Sequence, residues 1–396
     1  MSDERRFHFV EDDAALAGVL PILERAPEIG VDAEMNGLHA FRAGICVLQI
    51  ATVDTDVVID PLAVRSMKPI EQILCGPNVV RYAHGAAHDV KCLKADYGFG
   101  IYGLFDTYVA AQLLGVEKLG YGDIVATRFG VTLDKRLQTT DWGKRPLTQL
   151  HVDYLRADIR FLIPLGQQLR AELAAKDLLE EAAYECERVA ALPADDPTLA
   201  EDAYLKPKEA RELAPPQLAV LRELFLARDV AARRADRPPF KIAGDQVLVE
   251  IAKRRPASVD DLARVPGLPR GGPGRVAQDF FAAVGRGLSA GAPPPITKVP
   301  APRLDGSEIR ARRAREEALR GWRKQAATAR AVPPMAVLPS YTIEDLVRAP
   351  ARDLADLATR PGMIPKRMRL YAAELLAVQS QAPAPVSETP VPEIPR

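Results

Sequence analysis

An apolar strand carrying two acids constrains this chain more than any other feature. Residues 29–35, Ile-Gly-Val-Asp-Ala-Glu-Met, have the makeup of a buried strand, and its period of two sets Asp32 and Glu34 side by side on one face. Adjacent like charges repel, so such a pair persists either on a solvated edge or beneath a cation. A solvated edge is the ordinary outcome for an isolated Asp-x-Glu. The choice between the two rests on what the rest of the chain supplies.

Residues 30–35, 45–51 and 57–60 read as three short strands. The links between them are too short for parallel crossovers, which predicts an antiparallel meander. A helical period over 62–75, an apolar strand at 79–83 and helices over 88–96 and 106–114 extend this to an α/β reading of the first 190 residues. Asp89 follows the His84-Gly85 turn and falls in the first turn of a helix, where an acid can also simply complement the helix dipole. Asp106 reads as a helix N-cap. Further on, Tyr154 and Asp158 lie four apart on one face with Leu150, Phe161 and Leu165, while Asp153, Arg156 and Arg160 point outward. A carboxylate on an apolar face requires an arginine or a metal ion as partner. Pro164 predicts a kink in this helix.

Asp-x-Glu, then an Asp after His-Gly, then Tyr-x-x-x-Asp resemble, in this order, the three motifs of the DEDD 3′-to-5′ exonucleases. The intervening Asp134-Lys135, Gln138 and the run 141–147, Asp-Trp-Gly-Lys-Arg-Pro-Leu, are similar to ribonuclease D and the exosome-associated exonucleases. The resemblance covers residues 28–175 and implies a ribonuclease H-like fold. It assigns Asp32, Glu34, Asp89 and Asp158 as metal ligands and Tyr154 as the catalytic tyrosine. Asp153 stands where the sister subclass has histidine, which places the chain in the tyrosine branch, and Leu155 departs from the family's usual small residue. Two Mg²⁺ or Mn²⁺ ions about 3.5 to 4 Å apart suit such oxygen ligands and an in-line phosphoryl displacement, with the tyrosine orienting the attacking water. Met35, His84, Lys135 and Arg145 are candidate contacts to the substrate. Core packing competes as an explanation for Met35, and surface ion pairing for Lys135 and Arg145.

Beyond residue 190 an internal repeat appears at an offset of about 95 residues. Pro238-Pro239 matches Pro333-Pro334, and Asp261-Leu262-Ala263 with Pro266-Gly267 matches Asp356-Leu357-Ala358 with Pro361-Gly362. Both copies resemble HRDC domains, the first more closely. The expected organisation is an exonuclease domain at 1–190, a linker at 191–213, helical domains at 214–292 and 310–381 separated by a Pro-rich linker at 293–309, and a disordered Pro-rich tail at 382–396. The zero net charge conceals roughly 20 Lys+Arg against 28 Asp+Glu before residue 191 and the reverse surplus after it. That division suggests RNA with its 3′ end in the acidic half and its body on the basic half, with solvated surface as the plain alternative.

The four cysteines are widely spaced and fit neither a disulfide framework nor a zinc finger, and no signal peptide or membrane span is read, so a reducing, cytoplasmic monomer is expected. No phosphate-binding G-x-x-x-x-G-K-[ST] segment points to a helicase. The expectation is a metal-dependent 3′-to-5′ exoribonuclease processing tRNA or other structured RNA. A DNA exonuclease and a nucleic-acid scaffold with a decayed nuclease are the alternatives.

Overall fold

A computed structural model describes residues 5–196, 198–268, 274–294 and 304–381. The expected tail and most of the expected Pro-rich linker lie outside the described residues. The first part of the chain runs β1 (Arg6–Val10), α1 (Asp13–Glu24), β2 (Glu28–Met35), β3 (Ile45–Ala51), β4 (Thr55–Ile59), α2 (Lys68–Cys75), β5 (Val80–Ala83), α3 (Ala87–Tyr97), β6 (Leu104–Asp106), α4 (Thr107–Leu114), α5 (Tyr121–Phe129), α6 (Gln149–Arg160), α7 (Leu162–Ala175) and α8 (Leu179–Ala190). This is an α/β unit around a mixed sheet of order β1-β4-β3-β2-β5-β6.

The meander is antiparallel as its short turns require, with Asp32 opposite Gln49 and Glu34 opposite Val47. Two edge strands were not expected. β1 joins β4 in parallel, with Arg6 opposite Thr55, and its flank is fixed by Arg5, whose Nε donates to buried Asp56 at 2.8 Å. β6 completes the other edge beside β5. Both are short, and their pairing depends on residues far away in sequence. One face of the central strands buries Ile29, Val31, Leu48, Ile50, Val57 and Ile59 in the main core. The other carries Asp32 and Glu34, and on it Val47 and Val58 pack against Tyr154 and Leu155 of α6.

The kink expected at Pro164 is a break instead. α6 ends at Arg160 and α7 restarts at Leu162, with Phe161 at φ −101°, ψ −1° between them. Pro164, third in α7, has no N–H to return to the Arg160 carbonyl, so the ladder lapses a turn early. Here β2 approaches most closely: a Cβ on Gly30 would stand 3.0 Å from Leu162 Cβ and 3.3 Å from the Ile159 carbonyl, a fit that glycine permits. The outward and inward faces of α6 also differ from expectation. Leu150 is exposed, while Arg156 turns in to pair with buried Asp56 at 3.2 Å and covers the Phe7 ring.

The helical remainder consists of two all-α units. The first holds α9 (Pro215–Ala235), α10 (Pro239–Ile242), α11 (Asp245–Arg254), α12 (Val259–Ala263) and α13 (Arg275–Ala290); the second holds α14 (Gly306–Arg330), α15 (Pro334–Val337), α16 (Ser340–Arg348), α17 (Leu354–Ala358) and α18 (Pro365–Gln381). The repeat is written into the punctuation. Asp236 and Ala331 end the long helices in the left-handed region, Ser258 and Asp353 cap the fourth helix of each unit, and Gly267 and Gly362 turn at positive φ. The stretch expected as linker is partly core, since Ala203, Tyr204, Ala210 and Leu213 are buried in the first unit. No helix among the described residues is long and apolar enough to cross a membrane.

The charge division has a structural outlet. Glu181 and Glu185 of α8, both almost fully buried, face the second unit: Lys366 Nζ lies 3.1 Å from Glu181, the Tyr341 hydroxyl donates to Glu185 at 2.6 Å, and Arg367 stands 3.8 Å from Glu185. The first unit holds the loop that leaves β2. Asp236 accepts from the Phe41 amide at 3.1 Å, Arg233 stacks on the Phe41 ring while pairing with Asp229, and Lys241 reaches His39. Arg234 pairs with Asp279. Several cations that the sequence offers to a polyanion are therefore occupied inside the protein.

Candidate active site

Strand β2 delivers Asp32 and Glu34, and the helical spacing of α6 delivers Tyr154 and Asp158 to the same face. The carboxylate oxygens of Asp32, Glu34 and Asp158 lie within 4.8 Å of one another. Asp89, in the first turn of α3, is buried outside that group, yet its charge acts on Glu34 and is acted on by Asp32. Asp32, Glu34 and Asp158, but not Asp89, floor a cleft of about 310 Å³ walled by His84, Gly120, Tyr121, Gly122, Leu133, Lys135, Gln138, Tyr154 and Leu162.

Burial pushes every acid upward, and the charges of neighbouring acids add to it for Glu34, Asp89 and Asp158. Desolvation raises Asp32 to about 6, desolvation followed by the charges of Asp32, Asp158 and Asp89 raises Glu34 to about 9, and desolvation followed by Asp32 raises Asp158 to about 8, against a downward pull from the Tyr154 hydroxyl. Asp89 is driven well above the carboxylate range by burial, then by Asp32 and Asp106. Among the described residues, no lysine or arginine figures among the charges acting on these four acids. An all-carboxylate set of this kind fits a hard divalent cation, which would supply the missing positive charge.

A pH dependence follows. Between the unfolded carboxylate range near 4 and these raised values, the folded state binds more protons than the unfolded one, so its stability falls as pH rises. In EDTA, thermal melts are expected to show a lower melting temperature at about pH 9 than at about pH 5, and Mn²⁺ should remove much of that slope. A flat or rising profile across this window would contradict the burial of the acid cluster.

The candidate substrate contacts separate on inspection. His84 lines the cleft, but both ring nitrogens are engaged, with Thr107 Oγ1 and the Leu119 carbonyl each at 2.9 Å, so a ligand meets only its ring. Lys135 stands at the rim, 3.6 Å from Asp123. Met35 follows an irregularity in the β2–β3 register, packs against the main core and is not part of the cleft wall. Arg145 is a correction. Its five N–H groups go to Asp60 and to the carbonyls of Trp142, Lys144 and Cys46, which leaves none for a phosphate. It pins the loop whose Trp142 is buried with its ring centre 5.7 Å from that of Tyr154. Tyr121 and Leu162 were missed as cleft residues. The glycines flanking Tyr121 were the available signal, whereas nothing local marks Leu162.

Residues 7–174 match the family described as 3′-5′ exonuclease, and residues 217–284 and 312–378 each match the HRDC domain. Ribonuclease D of Gluconacetobacter diazotrophicus is 32% identical over 263 residues, 65% of this chain and 65% of its own. Ribonuclease D of Granulibacter bethesdensis is 31% identical over 283 residues, 69% of this chain and 70% of its own. Among solved structures, Escherichia coli RNase D, described as an exoribonuclease involved in structured RNA processing, aligns with a TM-score of 0.71 over 96% of this chain and 100% of that one at 23% identity, a likeness of fold.

Proposed function

Because the chain belongs to the ribonuclease D family of 3′-to-5′ exoribonucleases, with an exonuclease domain and two HRDC domains, we propose that it removes nucleotides one at a time from the 3′ end of tRNA precursors or other structured RNA, releasing nucleoside 5′-monophosphates. The observation that carries this is the meeting of the Asp32, Glu34 and Asp158 oxygens within 4.8 Å, beside Tyr154 and, among the described residues, with no lysine or arginine charge acting on them. Asp32, Glu34, Asp89 and Asp158 would hold two ions, Mg²⁺ or Mn²⁺, which when bound offset the charge that develops on the phosphate.

The protein's own groups do the rest. The Tyr154 hydroxyl, hydrogen-bonded to Asp158 with its ring packed at a tilt against Trp142, orients the attacking water by hydrogen bonding. The ring faces of His84 and Tyr121 receive the terminal nucleotide, and Lys135 contacts the backbone at the rim. The body of the RNA lies on basic residues that docking leaves at the surface of the HRDC domains, such as Arg237 and Lys324. The enzyme works as a cytoplasmic monomer, consistent with four free cysteines among the described residues.

The test is digestion of matched 5′-labelled RNA and DNA oligomers with Mn²⁺ or with EDTA. Stepwise shortening of RNA from its 3′ end, with 5′-monophosphates as product and no reaction in EDTA, is the expected result. Internal cuts, or DNA degraded faster than RNA, would overturn the reading in favour of another nuclease, and inactivity on both in favour of a binding scaffold.

A further inference from the structure

Asp106 does more than begin a helix. It is buried at the end of β6, and only one of the three hydrogen bonds its carboxylate accepts is the expected cap, from the Tyr108 amide to Oδ1 at 2.9 Å. The other two cross to the neighbouring strand's exit: Gly85 N donates to Oδ1 at 2.8 Å and Ala86 N to Oδ2 at 2.9 Å. Those amides belong to the turn between β5 and α3, where Gly85 sits at φ +69° and Ala86, the residue preceding α3, offers no side-chain cap of its own. The two amides that lead into α3 thus find their acceptor on a different strand. Thr107 adds a parallel tie, its hydroxyl donating to the Ala83 carbonyl at 2.9 Å. From behind, Cys186 of α8 accepts from the Asp106 amide at 3.2 Å.

Asp89 stands in the first turn of α3, so the point at which that helix starts decides where its carboxylate lies. We propose that Asp106 is a positioning residue for Asp89, clamping the Gly85-Ala86 turn so that α3 presents Asp89 to the metal-binding acids. The proposal rests on Asp89 being a metal ligand. It goes beyond that assignment by naming the group that sets the ligand's place.

Asp106→Asn separates the clamp from the cap. One carbonyl oxygen remains to serve Gly85 and Tyr108, and asparagine caps helices as well as aspartate, but an NH₂ group now faces the Ala86 amide. Manganese binding to the full-length protein, followed by calorimetry, should weaken roughly 10- to 100-fold, the range found when groups supporting metal ligands are removed. Saturating Mn²⁺ should recover much of the cleavage rate. Asp89→Asn is measured alongside. If it leaves Mn²⁺ affinity unchanged, the ligand assignment fails and the proposal with it. If it weakens binding while folded Asp106→Asn binds Mn²⁺ like the wild type, or differs only in melting temperature, the ligand assignment stands and the positioning role is overturned. Should Asp106→Asn fail to fold, Gly85→Ala strains the same turn without crowding, since nothing lies within 4 Å of the added carbon, and the same loss of affinity is expected. A folded Gly85→Ala protein with wild-type affinity overturns the proposal as well.

Discussion

Asp32→Asn and Asp158→Asn should each abolish RNA cleavage, by roughly 10³-fold or more, because the charge stabilisation lost with a misassembled metal site amounts to several kcal/mol. The same changes should leave the fold intact. They should even raise the melting temperature of the cation-free protein near pH 8, since each removes a carboxylate whose ionisation in the folded state is opposed by burial and by its neighbours. Initial rates on 5′-labelled RNA, paired with melts in EDTA, measure both effects. Cleavage within tenfold of wild type in both variants would exclude the acids from catalysis, and a large fall in melting temperature would show that they serve the fold instead.

The second large effect is expected far from the cleft. Lys366→Met removes the close partner of Glu181, leaving a fully buried carboxylate with Arg330 3.9 Å away. Breaking one side of a buried ion pair typically costs about 3 to 5 kcal/mol, whereas replacing both sides with apolar groups is often neutral or stabilising. In urea unfolding of the full chain, Lys366→Met should lose stability on that scale, and the double variant with Glu181→Leu should regain most of it. If the single change is harmless, the second HRDC domain is not held by this network. If the double variant is no better than the single, the cost lies in packing rather than in a stranded charge.

What could be read in the sequence divides along the range of the forces involved. Asp32 with Glu34, and Tyr154 with Asp158, were legible because local periodicity alone puts each pair on one face. Asp89 was assigned only through the resemblance, since an acid in a helix's first turn equally complements the dipole and the turn before it is tied to Asp106 across the sheet. Arg145 was left open between phosphate and an ion pair for the converse reason, and the ion pair is what the structure holds. Beside a metal motif an arginine suggests phosphate, and nothing local reveals that its partner is Asp60, 85 residues earlier. β1 escaped notice because five residues of strand gain stability only from a parallel neighbour about fifty residues on. The basic surplus of the second half was read correctly as charge, but part of its use was not, because Lys366 and Arg367 find their anions on α8.

The α8 network also has a consequence in time. The ribosome finishes α8 before Lys366, which lies 185 residues further along. At 5 to 20 residues per second this leaves roughly 10 to 40 s during which Glu181 has emerged and Lys366 has not, while Glu185 has only Arg188 of its own helix, 3.1 Å away. Through that interval the nuclease half carries one acid, Glu181, that it cannot bury without penalty, so its last helix has reason to stay undocked until the second HRDC domain arrives. A polypeptide cut short by a nonsense codon never reaches that moment. The architecture thereby ties the settling of α8 to the completion of the second HRDC domain.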